Sequence, residues 1–452
     1  MRRLFLPIVC VALIVVFLWE YQTIIVPLYS YSGFTYYSPG FGPLGWAVVL
    51  CIIPLLIIPV ELFKPSVFLV WWLYVTTFVP SILMPVITRT LPESDAIPLQ
   101  LSALGSMLLL CAVPYAKTLV LPRAVMPRSS FWWIVMIGWA GCIVFSLASI
   151  NGPRLLANFA LLLNAGGTGG VDYYAVRADY MLQVGQTGRL FGYIGRELVT
   201  AIDPFLISYG LLSKQWWMLT IGIVGQLVYF GQTGMKEVPL SIIAIFMVWV
   251  LSRKYRKKFG IAFLLAVTCL LIVFTSADLM THSANFSTLF TRRDLAGPGL
   301  LTGFYFEHYS KVAHPGHAFT GNGSSQLIGP PQEIGFYYFG SANVDANANF
   351  WAEGFAEYGI PGIFAFALLV ALALWLFDSI AAQRSLELAV LLTVVQADAL
   401  TNSSPLTVLV THGGILAGIL LYCAPDHDKP LWPKARMKQL WPHLGGEGAL
   451  SR

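Results

Sequence analysis

Stretches of about 20 apolar residues recur along almost the whole chain, and no other feature restricts its fold so strongly. Such a stretch makes a helix long enough to cross a hydrocarbon core of roughly 30 Å. In lipid every backbone N–H and C=O must find an internal partner, so the runs read as spanning helices. They fall near 4–27, 46–63, 67–87, 98–115, 131–150, 193–213, 216–231, 238–252, 260–277, 357–377, 386–400 and 405–423. Composition agrees: of 452 residues, 57% are apolar and 11% are charged, against about 25% charged in soluble domains. The expected fold is an all-α polytopic membrane protein of about twelve transmembrane helices, with residues 1–452 forming one membrane domain. The first run, Leu4 to Trp19 behind Arg2 and Arg3, has the shape of a secretory signal. Glu20-Tyr21-Gln22 stands where a small-residue cleavage site would be, so the run is expected to stay as the first span.

Basic residues orient the bundle, because cytoplasmic loops collect Lys and Arg. Arg2, Arg3, Lys64, Lys117, Arg123, Arg128, Lys214, the Arg253 to Lys258 cluster, Arg384, Lys429, Lys434, Arg436, Lys438 and Arg452 then lie on one side. Both termini are expected in the cytoplasm, with 424–452 as a cytoplasmic tail. Two long segments face outward. Segment 151–192 holds an amphipathic stretch, Arg154 to Leu163, suited to an interfacial helix, then a glycine hinge at Gly166 to Gly170. Segment 278–356 is rich in Gly, Pro, Asn and aromatics. A loop that long usually has a function, and its aromatics argue against disorder.

Chemistry is sought in those loops. Arg154, Arg177, Arg189, Arg196, Arg292 and Arg293 offer guanidinium groups, which grip phosphate oxygens bidentately; the plainer reading is pairing with lipid headgroups or with local acids such as Asp172 and Asp294. Lys236, beside Glu237 after Gly231-Gln-Thr-Gly234, is a further cation near the membrane within reach of a phosphate. Asp345, Glu353 and Glu357 cluster at the mouth of the tenth span. Glu353 falls one helical turn past Asn349. Either Glu353 or Asp345 suits the role of proton acceptor for a hydroxyl, or both are acids favouring a helix N-terminus. His308 and His314 are proton carriers or sugar hydrogen-bond donors. Tyr305, with its aromatic neighbours, suits either a sugar-binding face or loop packing. The pattern His314-Pro-Gly-His317 lacks a thiolate partner, and the six cysteines all lie in apolar runs, so no metal and no cofactor are expected. Asp426-His-Asp428 lies in the tail, away from any nucleotide-binding fold. No nucleic-acid partner is expected.

Spacing adds a resemblance. Arg177 is followed by ten residues and Gly188, and Arg292 by ten residues and Gly303. One such pattern in each of two long outward loops resembles the O-antigen polymerase (Wzy) family. Asn349, nine residues, then Gly359-Ile-Pro-Gly362 resembles a motif of the related O-antigen ligases, in which a histidine precedes the Asn; here that place is Ala348, which points to a polymerase. Gly359 and Gly362 would let the loop turn tightly into the next span. The resemblance implies a GT-C type membrane glycosyltransferase at the periplasmic face of the bacterial inner membrane. It would join polyprenyl-diphosphate-linked oligosaccharide repeats into polysaccharide. Arg177, Arg292 and Arg293 would hold the diphosphate, and Glu353 or Asp345 would be the base. Asn349, His308, His314, Tyr305 and Lys236 would bind substrate. Membrane lipid, a chain-length regulator and a flippase would be its partners. An O-antigen ligase-type transferase, or a flippase for the same lipid, stays open as the alternative.

Overall fold

The computed structural model describes residues 2–122, 126–148, 189–235, 237–316 and 329–425. Arg177, Gly188, Lys236, His317, most of 151–192 and the tail beyond 425 lie outside them. The described residues form helices and connecting turns, with no strand. Helical segments stand at each of the twelve expected places. Five are long and apolar enough to cross a membrane: Phe5–Ser32, Pro65–Thr88, Ser94–Tyr115, Arg256–Thr281 and Phe350–Ala381. The bent pair Pro405–Thr411 and Gly414–Cys423, turning by 52°, makes a sixth if counted as one span.

The helices are interrupted in a regular way. Wide π-type turns occupy Tyr21–Ile25, Tyr74–Phe78, Leu198–Ile202 and Thr288–Ala296. Each ends two residues before a proline, namely Pro27, Pro80, Pro204 and Pro298. A proline ring inside a helix collides with the carbonyl four residues back and removes one N–H. A wide turn just ahead of it takes up that misfit and lets the helix continue.

Pro65–Thr88 is the axis of the bundle. Its span is buried entirely, including Trp71, Tyr74 and Phe78. It is tied at its start by Asp378 of the 350–381 helix. Ser66 donates to that carboxylate through its backbone N–H (2.9 Å) and its hydroxyl (2.6 Å), satisfying donors that a helix N-terminus otherwise leaves free. The first helix packs Leu6, Val9, Leu13 and Phe17 into the same core.

Segment 278–356, expected as an outward loop between spans, is largely helical where described. The π-turn Thr288–Ala296 runs directly into Gly297–Tyr309, and a second helix covers Pro330–Phe339. The aromatic content that argued against disorder is what folds it: Phe304 stacks on Tyr338 at 4.1 Å and Phe306 on Phe355 at 4.0 Å. Small residues seat the 297–309 helix on 79–88. A methyl group at Gly299 would stand 2.5 Å from the Pro80 carbonyl oxygen, and one at Gly303 would stand 2.5 Å from Thr90 Oγ1. Gly303 of the Arg-x10-Gly pattern is therefore a close-packing position.

The helix after Asn349 is two pieces. At Tyr358–Gly359 the backbone leaves helical geometry, with Gly359 at φ 65° and ψ −152°, a region essentially reserved for glycine. Beyond the break Ile360–Ala381 holds 22 residues, which at 1.5 Å per residue makes about 33 Å, a full crossing. Gly362 touches the Gly354 carbonyl across the bend, an approach no larger residue permits.

Candidate functional site

The sequence candidates separate into two groups at opposite ends of one helix. At the Tyr309 end, three groups are linked. His308 Nε2 donates to Glu333 Oε1 (2.9 Å), and the Tyr309 hydroxyl donates to Glu333 Oε2 (2.8 Å). His314 is pinned through Nδ1 to the Ala356 carbonyl (3.0 Å), while the Tyr358 hydroxyl donates to the Gly316 carbonyl (3.2 Å). A carbonyl only accepts, so His314 donates through Nδ1. Tyr305, fully buried, donates to the Ala346 carbonyl (3.0 Å) and lies against Glu353. Asp345 is exposed and accepts from Gln332 Nε2 (2.6 Å). Burial and the Glu333 carboxylate together hold the Tyr309 phenol far above its ordinary range. Exposed Phe336 and Tyr337 border this end.

Asn349 departs from its expected role. It is fully buried, and its amide is used internally. Oδ1 accepts from the backbone N–H groups of Trp351 (3.1 Å) and Ala352 (3.2 Å), capping the helix. Nδ2 donates to Thr302 Oγ1 (2.7 Å) and lies 3.3 Å from Ser81 Oγ. No amide hydrogen or acceptor is left to meet a substrate, so the structure makes Asn349 a cap and a clamp between three helices.

Arg292 and Arg293 stand at the other end, on the wide turn 288–296. Thirteen helical residues, Gly297–Tyr309, separate them from the His308 group, about 20 Å at helical rise. The Arg292 guanidinium lies 4.5 Å over the Tyr29 ring, whose hydroxyl is fixed to Thr288 (2.9 Å). Its Nε is buried and takes no partner among the described residues. Beside it Thr291 donates to the fully buried Glu20 (2.6 Å).

Adjacent Arg293 points elsewhere, into an ion pair with Glu237 at the start of the 237–254 helix. Its Nε lies 3.9 Å from Asp294 Oδ1. Asp398, on the short helix Val394–Ala399, is close enough to interact electrostatically with Arg293, Asp294 and Glu237. Burial pushes the Asp294 carboxyl well above the usual carboxylate range. The Asp398 and Glu237 charges add to that rise, and Arg293 offsets part of it. His412, at the bend between 405–411 and 414–423, feels both Glu237 and Arg196. Gln396 fastens the same place, donating to the Thr200 carbonyl on the wide turn 198–202 (2.8 Å).

The structure therefore gathers Tyr305, His308, His314, Asp345 and Glu353 around one end of a helix and Arg292 and Arg293 at the other. The helix that starts after Asn349 runs alongside this one: Asn349 Nδ2 reaches the Pro298 carbonyl (3.4 Å) and Glu353 lies against Tyr305. Sequence reading passed over Glu333 and Asp398. Pro330-Pro331 followed by an acid is a helix-start signature, and a single acid inside an apolar run is itself a functional signal. Among the described residues no three His, Cys, Asp or Glu side chains are grouped to hold a metal ion. Set against protein-family models, curated proteins and solved structures, the chain matches none of them.

Proposed function

We propose that this chain is a membrane glycosyltransferase that polymerises polyprenyl-diphosphate-linked oligosaccharide repeats at the periplasmic face of a bacterial inner membrane. In this reading it crosses the membrane about twelve times, with both termini in the cytoplasm. The observation that carries the reading is the arginine-bearing wide turn 288–296. It sets the Arg292 Nε edge, which meets no partner among the described residues, on an aromatic ring amid apolar helices, with the buried Glu20 carboxylate beside it. A lipid-linked diphosphate is a doubly charged anion at headgroup depth, and a stacked guanidinium is suited to it. Donors aimed where charge builds on a leaving group are the largest catalytic term. Exposed Phe336 and Tyr337, one helix-length further out, would stack the glycan that extends from it.

A second reading has one observation in its favour. The 52° break at His412–Gly413, facing Arg196 and Glu237, is the kind of broken, charged helix a lipid-oligosaccharide flippase uses. Deletion of the gene, with surface glycan length read by gel, separates the readings. Capped single repeats support the polymerase; lipid-linked glycan retained outside points to a ligase; repeats trapped inside point to a flippase. Surface glycan of unchanged length would overturn all three.

A further inference from the structure

We propose that Glu20, Thr291, Ser287 and Thr275 form a binding site for a monovalent cation, sodium, that fastens the first helix to the arginine-bearing turn. The inference does not depend on the transferase reading.

The site begins with one carboxylate. Glu20 lies in the first apolar span and is fully buried. A charge at such depth is costly unless something pairs with it. Among the described residues no lysine, arginine or histidine nitrogen makes an ion pair with Glu20. Arg292, next to Thr291, turns instead over the Tyr29 ring.

What surrounds Glu20 is oxygen. The Thr291 hydroxyl donates to Oε1 (2.6 Å), and the Ser287 and Thr275 hydroxyls lie against the same carboxyl. Two atoms of this group are orphans: Glu20 Oε2 and Ser287 Oγ are buried and take no hydrogen-bond partner among the described residues. Ser287 and Thr275, like Glu20, are fully buried, and a buried polar atom without a partner costs free energy. A second carboxylate, Asp278, is near enough to add its charge. Its own oxygens are already used. Oδ1 accepts from Ser283 Oγ (3.1 Å) and the Phe286 N–H (3.2 Å), and Oδ2 accepts from the Ser287 N–H (2.7 Å).

Oxygen-only ligation suits a hard cation. One carboxylate with an oxygen to spare, among neutral hydroxyls, matches a single positive charge. Calcium takes about six to eight oxygens and magnesium keeps several waters, more than this buried group offers. The backbone agrees with a built site. Glu20 stands directly before the wide turn Tyr21–Ile25, Thr291 lies within the wide turn Thr288–Ala296, and the two turns pack together. Such turns break the helical register and often mark functional places. A cation at this joint would also hold in place Arg292, the residue after Thr291.

The test uses the full chain in lipid nanodiscs, melted in sodium chloride or choline chloride at equal ionic strength. Wild-type melting temperature should rise with sodium from about 1 mM to about 0.3 M and stay level in choline, since a ligand of the folded state stabilises it by mass action. Radioactive sodium should bind saturably over the same range. Glu20→Gln keeps the shape of the side chain and removes its charge, and both responses should vanish. Ser287→Ala removes one oxygen and should move the sodium midpoint about tenfold higher. Equal melting of the wild type in the two salts would overturn the site and leave Glu20 a neutral acid. An unchanged sodium response in Glu20→Gln would overturn it too, as would a response to calcium but not to sodium. Should Glu20→Gln fail to accumulate, Ser287→Ala decides: an unmoved midpoint removes the site.

Discussion

Replacing Asn349 by alanine distinguishes a cap from a substrate contact by magnitude. The alanine variant loses two backbone caps, to Trp351 and Ala352, and the donor that serves Thr302 and Ser81. An N-cap is worth about 0.5–2 kcal/mol. A buried polar group left without its partner costs about 1–3 kcal/mol. Ser81 and Thr302 still reach each other at 3.2 Å, so part of that second loss is recovered. The expected destabilisation is about 2–4 kcal/mol, combining the cap and partner terms. Asn349→Ser keeps an oxygen for the cap and should fall between wild type and alanine. Thermal unfolding of the purified protein, followed by tryptophan fluorescence beside a polymer assay, reads both. An alanine variant that melts with wild type while losing turnover would refute the capping argument and restore Asn349 to the substrate.

Four shorter expectations follow from other contacts. Gly299→Leu should prevent stable accumulation in the membrane, since even a methyl group meets the Pro80 carbonyl at 2.5 Å; normal protein levels on an immunoblot would count against the packing. Arg292→Ala should abolish polymer on a glycan gel, and Arg292→Lys should restore only part of it, because an ammonium lacks the planar face that lies on Tyr29; full-length polymer from the alanine variant would remove the clamp. The raised Asp294 carboxyl contributes stability that is complete below the unfolded carboxylate range and lost as pH rises through the folded value. Melting temperature should therefore climb as pH falls through the folded value of this carboxyl, with a flatter curve for Asp294→Asn; equal slopes would refute the raised acid. Reporter fusions should signal outside at Gly323 and inside at Arg256, and cytoplasmic signal at Gly323 would invert the orientation.

Helix positions were legible because apolar run length is a one-dimensional property, and the break at Gly359 was legible as a glycine pair around a proline. The site was less so. Sequence proximity put Glu353 beside Asn349 and Arg292 in the same loop, and suggested one centre. The helix 297–309 lies along both, with Asn349 against Pro298 and Thr302 and Glu353 against Tyr305, and Gly299 and Gly303 seat it on 79–88. The ion-pair partner of Arg293 is Glu237, 56 positions away. Long-range pairing of that kind leaves no trace in local pattern. Asn349 was placed with the substrate by the resemblance alone, and its side-chain partners Thr302 and Ser81 stand 47 and 268 positions away, beyond local pattern.

The burial of the 65–88 helix has a consequence for how the protein is made. This segment leaves the ribosome early, yet Gly299 and Gly303, which cover it, and Asp378, which caps it, are synthesised more than two hundred residues later. Until then Thr76, Thr77 and Ser81, all buried in the finished protein, must face lipid or an insertion chaperone. Chains truncated before residue 378 would hold an uncapped, half-covered axis, and quality-control proteases should remove them faster than chains truncated just after it.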